Sequence, residues 1–450
     1  MASGIAASRR ATRIDVNQTG HIKIDATGLL AGTRGESDIA PAEVAALAPR
    51  FDDLQPRLRA WRAGAAPSFL ALPFAPDTAA ILARARELAR RFRRTIVFGI
   101  GGSSLGGEML VQALSPQPAP HAVHFFDNVD PTTLAPLAEH DWSDTLLLVI
   151  SKSGDTAEIL SQFLSCLPTF EDRFGSEALR EHILVVTENP RGALYQIADR
   201  LGLEILPHPP VGGRFSVLSV VGLLPAALAG VDIEALLAGA RHMTERCAQP
   251  DIDRNPALWN AGAQYLQLAR GRRQSVQMAY SDRLYPVTFW WRQLWGESLG
   301  KRDAAGRACG LTPVEARGVT DQHSQLQLYL DGPDDKQFTF LVNPDLRNFG
   351  ERVPARFADL AAVAPLVGHA TGELFLAEFE ATRATLARHG RPQRTLALPY
   401  GDAHALGELI VLLETETVAM AELLGVDPFD QPAVEEGKVL AREYLTKSSK

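Results

Sequence analysis

The chain is poor in cysteine, in long apolar runs and in positive charge, and each deficit narrows its possible functions. Its 450 residues include three cysteines, too few and too widely spaced to indicate a disulfide framework or a zinc site. No apolar run reaches the roughly 20 residues of a membrane span, and none follows the N-terminal arginines as in a secretory signal. A formal net charge of −8 argues against nucleic-acid binding. We therefore expect a soluble, cytoplasmic protein that binds neither membranes nor nucleic acids.

What the chain does contain is enough apolar sequence for a large core, since 46% of its residues are hydrophobic. Between about residues 55 and 230, short apolar runs alternate with helical patterns. This alternation is typical of a parallel sheet with helices on both faces. Strands are predicted at 95–100, 123–126, 146–150, 183–187 and 204–206.

A second block of alternating strands and helices begins after Gly230. Its predicted strands are 275–280, 324–330 and 338–342, and a tryptophan-rich helix is predicted at 290–300. The residues from 403 to 444 read as two helices separated near Pro428. We therefore predict an α/β protein with four parts: an arm and helix at 1–54, α/β domains at 55–235 and 236–402, and a helical tail at 403–450. The tail is predicted to pack back on the ligand-binding site, whose loops are described next.

A loop rich in glycine and serine, residues 99–107, leads from the first predicted strand into a helix. This arrangement aims free backbone N–H groups and the positive end of the helix dipole at a bound anion. The glycines do not match the G-x-G-x-x-G spacing of a dinucleotide-binding loop cleanly, although Asp127 after the next strand keeps that alternative open. A sugar-phosphate loop is the favoured interpretation.

A second polar loop, Ser151-Lys152-Ser153-Gly154-Asp155-Thr156, follows the strand at 146–150. It can be an ordinary helix start capped by Thr156. A cap needs one hydroxyl, however, whereas this loop offers three together with a lysine. Since both loops follow neighbouring strands, at the sheet edge where open α/β folds bind ligands, we predict a pocket for a phosphate monoester.

Two side chains, Glu297 and His323, are candidates for acid–base chemistry. Gln293 and Glu297 are four residues apart and share one face of the predicted helix. Glu297 is also four residues from Lys301, so a solvated ion pair is the simpler alternative; the neighbouring tryptophans favour a buried carboxylate that acts as a general base. His323, at the start of a predicted strand, is either structural or catalytic. No spacing typical of a metal site is present, and we predict no metal and no cofactor.

Six short blocks together resemble the glucose-6-phosphate isomerase family, in particular its short bacterial form, from about residue 95 to 440. The blocks are 99–103, 151–154, 211–216, 293–301, 321–324 and 428–438. The resemblance implies two sugar-isomerase-type (SIS) domains and a homodimer. It also implies the reversible conversion of glucose 6-phosphate to fructose 6-phosphate, in glycolysis and gluconeogenesis, through a cis-enediolate.

The resemblance further implies a role for individual residues. Glu297 would move the proton between C1 and C2, and Arg214 would stabilise the enediolate. His323 and Lys438 would assist ring opening, with the histidine supplied to the site of the partner subunit. The remaining residues would bind the sugar and its phosphate: Gly102, Ser103, Ser151, Lys152, Ser153, Thr156, Gln293 and Gln431.

Four positions depart from the family pattern. Asp155 and Ala157 stand where threonines are common, and we expect the Asp155 carboxylate to point away from the phosphate. Leu299 replaces a common asparagine, and Asp321 a common glycine. Two other functions stay open: an isomerase that also accepts mannose 6-phosphate, and a sugar-phosphate-binding regulator without catalysis, which would be expected to lack the catalytic glutamate and arginine.

Overall fold

Two five-stranded sheets form the framework of the protein. The computed structural model describes residues 22–29, 39–75 and 77–448. Within these residues the strands are β1 Lys23–Asp25, β2 Arg94–Phe98, β3 Ala122–Phe126, β4 Thr145–Ile150, β5 Ile183–Thr187, β6 Glu204–Pro207, β7 Gln274–Tyr280, β8 Thr312–Arg317, β9 Lys336–Val342 and β10 Gln393–Ala397.

Helices cover both sheets and fill the space between them. They are α1 Pro41–Ala45, α2 Leu54–Arg62, α3 Thr78–Arg91, α4 Leu105–Leu114, α5 Pro131–Leu134, α6 Ala157–His182, α7 Ala193–Leu201, α8 Val220–Leu228, α9 Ile233–Cys247, α10 Pro256–Ala269, α11 Tyr285–Leu299, α12 Leu326–Asp331, α13 Thr371–Arg388, α14 Ala403–Leu424 and α15 Glu435–Ser448. No helix in the described part of the chain is long and apolar enough to cross a membrane.

The first sheet has the strand order β3-β2-β4-β5-β6 and is parallel throughout. All six residues of β4 are buried. Leu146, Leu148 and Ile150 belong to one apolar core, and Leu147 and Val149 belong to another on the opposite face. Because both faces of the sheet are covered, the sequence of β4 is an almost continuous apolar run. The five strands predicted in this block are confirmed.

The second sheet has the order β1-β10-β9-β7-β8, with β1 antiparallel and the other four strands parallel. The prediction of a strand at 324–330 was wrong, because these residues lie largely in helix α12. Leu326, Tyr329 and Leu330 contact the same core, at helical spacing. Glutamine and leucine alternate before Tyr329 as they would in a half-buried strand. The residues that contact the core nevertheless follow helical spacing.

The helix α14 lies at the centre of the molecule, packed against α9, α10 and α11. It is buried along nearly its whole length, from Ala405 to Leu423. The first helix of the predicted tail is therefore part of the core. The second, α15, is exposed throughout its described residues. The boundaries at 54, 235 and 402 stay predictions, and most of the predicted arm, residues 1–21 and 30–38, lies outside the described residues.

Candidate active site

Two glycine loops from the first sheet meet at the carboxyl ends of its strands. The turn Gly101–Ser103 follows β2, and the turn Gly213–Phe215 follows β6. A Cβ atom added at Gly102 would overlap the backbone carbonyl of Gly213, so only glycine permits this approach. Gly101 has φ +55°, and a Cβ there would lie 2.8 Å from the amide nitrogen of Gln293 on α11. The glycines therefore bring the loops against the helix that carries Glu297.

Arg214 is buried at this meeting point and contacts the catalytic candidate directly. Its Nη1 donates a hydrogen bond to Oε2 of Glu297 at 3.0 Å, and its Nε donates to the hydroxyl of Ser298 at 2.8 Å. Burial lowers the pKa of Arg214, and the Glu297 carboxylate acts in the opposite direction. The guanidinium stays charged because arginine does not lose its proton in proteins.

The same guanidinium also holds the segment that precedes α15. Its Nη1 donates to Oε1 of Gln431 at 2.9 Å, and its Nη2 donates to the carbonyl oxygens of Pro428 and, at 3.0 Å, Asp430. All five N–H donors of Arg214 thus have an acceptor. The arginine fixes three separate parts of the chain in one arrangement.

The Glu297 carboxylate is held at both oxygens and remains accessible. Nε2 of Gln293 donates to Oε1 at 3.1 Å, as the shared helix face predicts, while Arg214 binds Oε2. The side chain is 31% exposed, and it borders a cavity of about 1030 Å³ that is also lined by Gln431. On the same helix Trp290, Trp291 and Trp295 are buried. Glu297 can therefore meet a ligand without turning away from its partners.

The alternative of an ion pair between Glu297 and Lys301 is not formed. Nζ of Lys301 instead binds the carboxylate of Asp430 and the carbonyl oxygen of Asp427, the latter at 3.0 Å. Lys301 and Arg214 together fasten the 427–430 segment to the site. Neither this lysine nor Ser298 was among the predicted site residues; both lie in the 293–301 block, which was the available signal.

Hydroxyl groups order the loop after β4. The buried Ser151 hydroxyl contacts that of Thr156 at 2.9 Å and accepts the N–H of Gly154 at 3.2 Å. The Ser153 hydroxyl accepts the N–H of Asp155 at 3.2 Å. Thr156 stands at the N-cap position of α6, but its side chain makes no capping hydrogen bond. The first N–H groups of α6 therefore have no side-chain acceptor from this residue.

The two charged side chains of this loop contact residues outside it. Oδ1 of Asp155 accepts the N–H of Ala193 at 2.9 Å, at the start of α7, where a carboxylate is favourable. The Lys152 ammonium lies 3.6 Å from Oε2 of Glu188, and both side chains are more than a third exposed. Such exposed pairs contribute little energy, so the lysine can turn to a bound anion.

His323 and Lys438 lie on the surface. His323 follows β8 and a short turn that contains Asp321. Burial opposes ionisation of Asp321, but hydrogen bonds from the Ser324 hydroxyl and the Arg317 N–H lower its pKa overall. Lys438 donates to Glu435 at 2.7 Å on α15. The structure thus brings Gly102, Arg214, Gln293, Glu297 and Gln431 together within one chain. Among the described residues, no hydrogen bond or ion pair joins His323 or Lys438 to them.

Fold and site together define a class: an α/β protein of two sheets whose glycine loops carry a buried arginine against an accessible carboxylate. Comparison with known proteins makes this specific. The phosphoglucose isomerase family model matches residues 87–450. The chain belongs to this family, and the resemblance read from its sequence is confirmed.

Individual relatives are similar to this chain over most of their length. The glucose-6-phosphate isomerase of Carboxydothermus hydrogenoformans is 38% identical over 433 residues, 93% of each chain. That of Rubrobacter xylanophilus is 41% identical over 408 residues, 86% of this chain and 92% of the relative. A solved structure of a hypothetical protein from Thermus thermophilus matches with TM-score 0.83 and 36% identity, and covers 94% of this chain and 99% of its own.

Proposed function

We propose that this chain catalyses the reversible isomerisation of glucose 6-phosphate to fructose 6-phosphate through a cis-enediolate. The observation that carries this proposal is the hydrogen bond between the Arg214 guanidinium and the Glu297 carboxylate. The reaction moves one proton between adjacent carbons, which requires a base beside the carbons and a fixed cation beside the oxygens. One chain supplies both groups in direct contact.

Glu297 takes the proton from C2 and returns it at C1. Gln293 fixes one carboxylate oxygen, and the carboxylate stays partly exposed. Arg214 stabilises the negative charge that develops on the enediolate oxygens. Because its five donors already have acceptors, a substrate oxygen gains a direct hydrogen bond only by replacing one of them. Gln431, which is exposed, is the acceptor that a ligand can displace.

The phosphate binds at the loop after β4 and the start of α6. Ser151, Lys152, Ser153 and Thr156 supply hydroxyls and a charge, and the uncapped end of α6 supplies backbone N–H groups. Ser103, beside the start of α4, completes this binding region. We expect 6-phosphogluconate to compete with the substrate and free gluconate to compete far less. Equal inhibition by the two acids would contradict this assignment.

Ring opening is assigned to His323 and Lys438 in a cytoplasmic homodimer. Both side chains are exposed on the single chain, which leaves His323 accessible to a site in the partner subunit. The exposed apolar residues of α15, among them Val439 and Leu440, are consistent with a surface that another chain covers.

Subunit mixing tests this arrangement. Glu297→Gln and His323→Gln homodimers are each expected to be nearly inactive. If His323 acts in the partner's site, a mixed dimer has one site with both residues intact and regains activity. If each site uses its own histidine, every site in the mixture carries one substitution and activity stays low. Measuring the formation of fructose 6-phosphate from glucose 6-phosphate by the purified wild-type chain tests the function itself; no turnover would overturn it.

A further inference from the structure

A second cluster of chemically competent side chains lies away from Glu297. His242 on α9 and His404 and Glu408 on α14 each offer one ligand atom, and these atoms all lie within 4.8 Å of one another. Nδ1 of His242 is 2.5 Å from Oε1 of Glu408, and Nδ1 of His404 is 3.8 Å from the same oxygen. Two imidazoles and a carboxylate therefore converge on one point.

The sequence brings these groups together through two glycines. His404 and Glu408 are four residues apart and share one face of α14. A Cβ added at Gly239 of α9 would overlap the carbonyl oxygen of His404, and one added at Gly407 would overlap the backbone of α9. The two helices therefore approach closely at this level, and His242, one turn after Gly239, faces Glu408.

The donors suit a first-row divalent cation. Zn²⁺ binds imidazole nitrogen and carboxylate oxygen at about 2.0–2.2 Å, which places its ligand atoms roughly 3–3.5 Å apart. The two distances to Glu408 straddle that value, and all three ligand atoms lie within 4.8 Å, so side-chain rotations can bring them to a common ion. The Glu408 carboxylate is fully buried, and its other oxygen, Oε2, accepts the N–H of Ile22 at 2.9 Å, which fixes the orientation of the group. Each imidazole is about a quarter exposed, which leaves a path from solvent.

We propose that His242, His404 and Glu408 form a Zn²⁺ site that is structural and separate from the isomerase centre. Glu408 lies near the start of α14, whereas the Arg214 contacts lie beyond its end. At 1.5 Å per residue the two places are roughly 25 Å apart along the helix. A cation here joins α9 to α14 and, through the hydrogen bond from Ile22, to the residue that precedes β1.

The test is metal binding by the full-length chain after treatment with a chelator. We expect one equivalent of Zn²⁺ to bind and to raise the midpoint of thermal unfolding. His404→Gln and His242→Gln should each weaken binding by at least about tenfold, the lower bound usual even for loss of an indirect metal partner. The matched control is His369→Gln. His369 also lies four residues before a glutamate, Glu373, at 2.9 Å, but on the surface; this change should leave binding unaltered.

Co²⁺ gives a second measurement that does not depend on the stability of the variants. Bound to the wild-type chain by the three side chains and one water molecule, it should show the strong visible absorption of a tetrahedral site. No thiolate charge-transfer band should appear, which excludes the three cysteines as ligands. Failure of Zn²⁺ to bind the wild-type chain, unchanged binding in both histidine variants, or a thiolate band would overturn the proposal. In those cases Glu408 serves only as a hydrogen-bond acceptor for Ile22 and His242.

Discussion

Arg214 is the residue on which the site most depends, because one guanidinium contacts the candidate base, the helix that carries it and the segment before α15. Its charge and its geometry are separable. A lysine in its place keeps a charge but cannot donate five hydrogen bonds in a planar fork.

We expect Arg214→Lys to lower kcat by about 10²–10³-fold, the usual effect of losing one electrostatic contact in a transition state, with a smaller change in KM. Steady-state kinetics in the direction of fructose 6-phosphate formation measure both parameters. Arg283→Lys is the matched control, since Arg283 also donates to backbone carbonyls, those of Ala113 and Ser115. A pure rise in KM would assign Arg214 to substrate binding alone.

Glu297→Gln should preserve the fold, because the new amide oxygen can still accept from Arg214, while its NH2 can donate to the unpaired Oε1 of Gln293 once that side chain turns over. The change should lower kcat by about two to four orders of magnitude. Exchange of the substrate C2 hydrogen with solvent, followed by NMR, reports the proton transfer directly. Glu315→Gln serves as the control, because Glu315 also pairs with an arginine, Arg292, on the surface. Near-normal exchange in Glu297→Gln would remove the residue from the chemistry.

The sequence predicts contacts between residues that are close along the chain, but not contacts between residues that are far apart along it. The contact between Gln293 and Glu297 follows from their spacing on one helix. The contact between Arg214 and Ser298 joins residues 84 positions apart, and no periodicity encodes it. It was the resemblance to a family, rather than any pattern, that placed Arg214 beside the base.

At the scale of elements, the loops after β2 and β6 work as a pair because their backbones touch at Gly102 and Gly213. Side chains elsewhere in the loops carry polar groups, but the glycines set how closely these groups approach α11.

We therefore expect Gly102→Ala to separate the two loops, to lower kcat/KM by at least about tenfold and to reduce thermal stability, as overpacking does. Gly212→Ala is a demanding control from the same region: its added Cβ would lie 3.6 Å from the Phe215 ring, an ordinary contact. Activity assays and thermal unfolding of the two variants should differ clearly. If both behave like the wild type, the close approach is not required.

The exposed helix α15 gives a second prediction at this scale. Lys438→Met should slow turnover of cyclic substrate in a folded protein, and an open-chain substrate analogue should partly restore the rate, because the proposed role of Lys438 is ring opening. Lys447→Met, a change to another exposed lysine of the same helix, should have no effect. Normal turnover of cyclic substrate by Lys438→Met would refute the role carried over from the family.

A strand is predicted more reliably from the sequence when more of its residues are apolar. In the first sheet β4 and β5 are buried along their whole length and almost entirely apolar, and all five strands were predicted. The strand β10 was missed because buried polar residues interrupt it: Arg394 is paired with Glu416 of α14 at 2.7 Å, and both are almost completely buried. A sequence pattern predicts a charged residue to be exposed unless its ion-pair partner is known. The partner of Arg394 is Glu416, which lies on a different element.

At the scale of the whole molecule, one buried acid should influence how stability varies with pH. Glu414 lies in the middle of α14, and its complete burial raises its pKa well above the ordinary value of 4.5. The folded protein keeps this proton at pH values where the unfolded chain has lost it. The group therefore lowers stability increasingly as pH rises above about 4.5.

Glu414→Gln should remove this contribution, so its unfolding free energy relative to the wild type should rise between about pH 5 and pH 8. Urea denaturation at a series of pH values measures the difference. Glu380→Gln, a change to an exposed glutamate paired with Arg383, should show no comparable slope. A constant offset between Glu414→Gln and the wild type would show that the carboxyl titrates alike in both states.

The short strand β1 has a consequence for how this protein behaves in crowded solution. It pairs with β10 in antiparallel register, Lys23 opposite Ala397, and so occupies one edge of the second sheet. Removing it would leave a row of N–H and C=O groups along β10 unpaired, and such an edge is a template for strands of other molecules. We therefore expect these three residues to shield the edge of β10 from strands of other molecules.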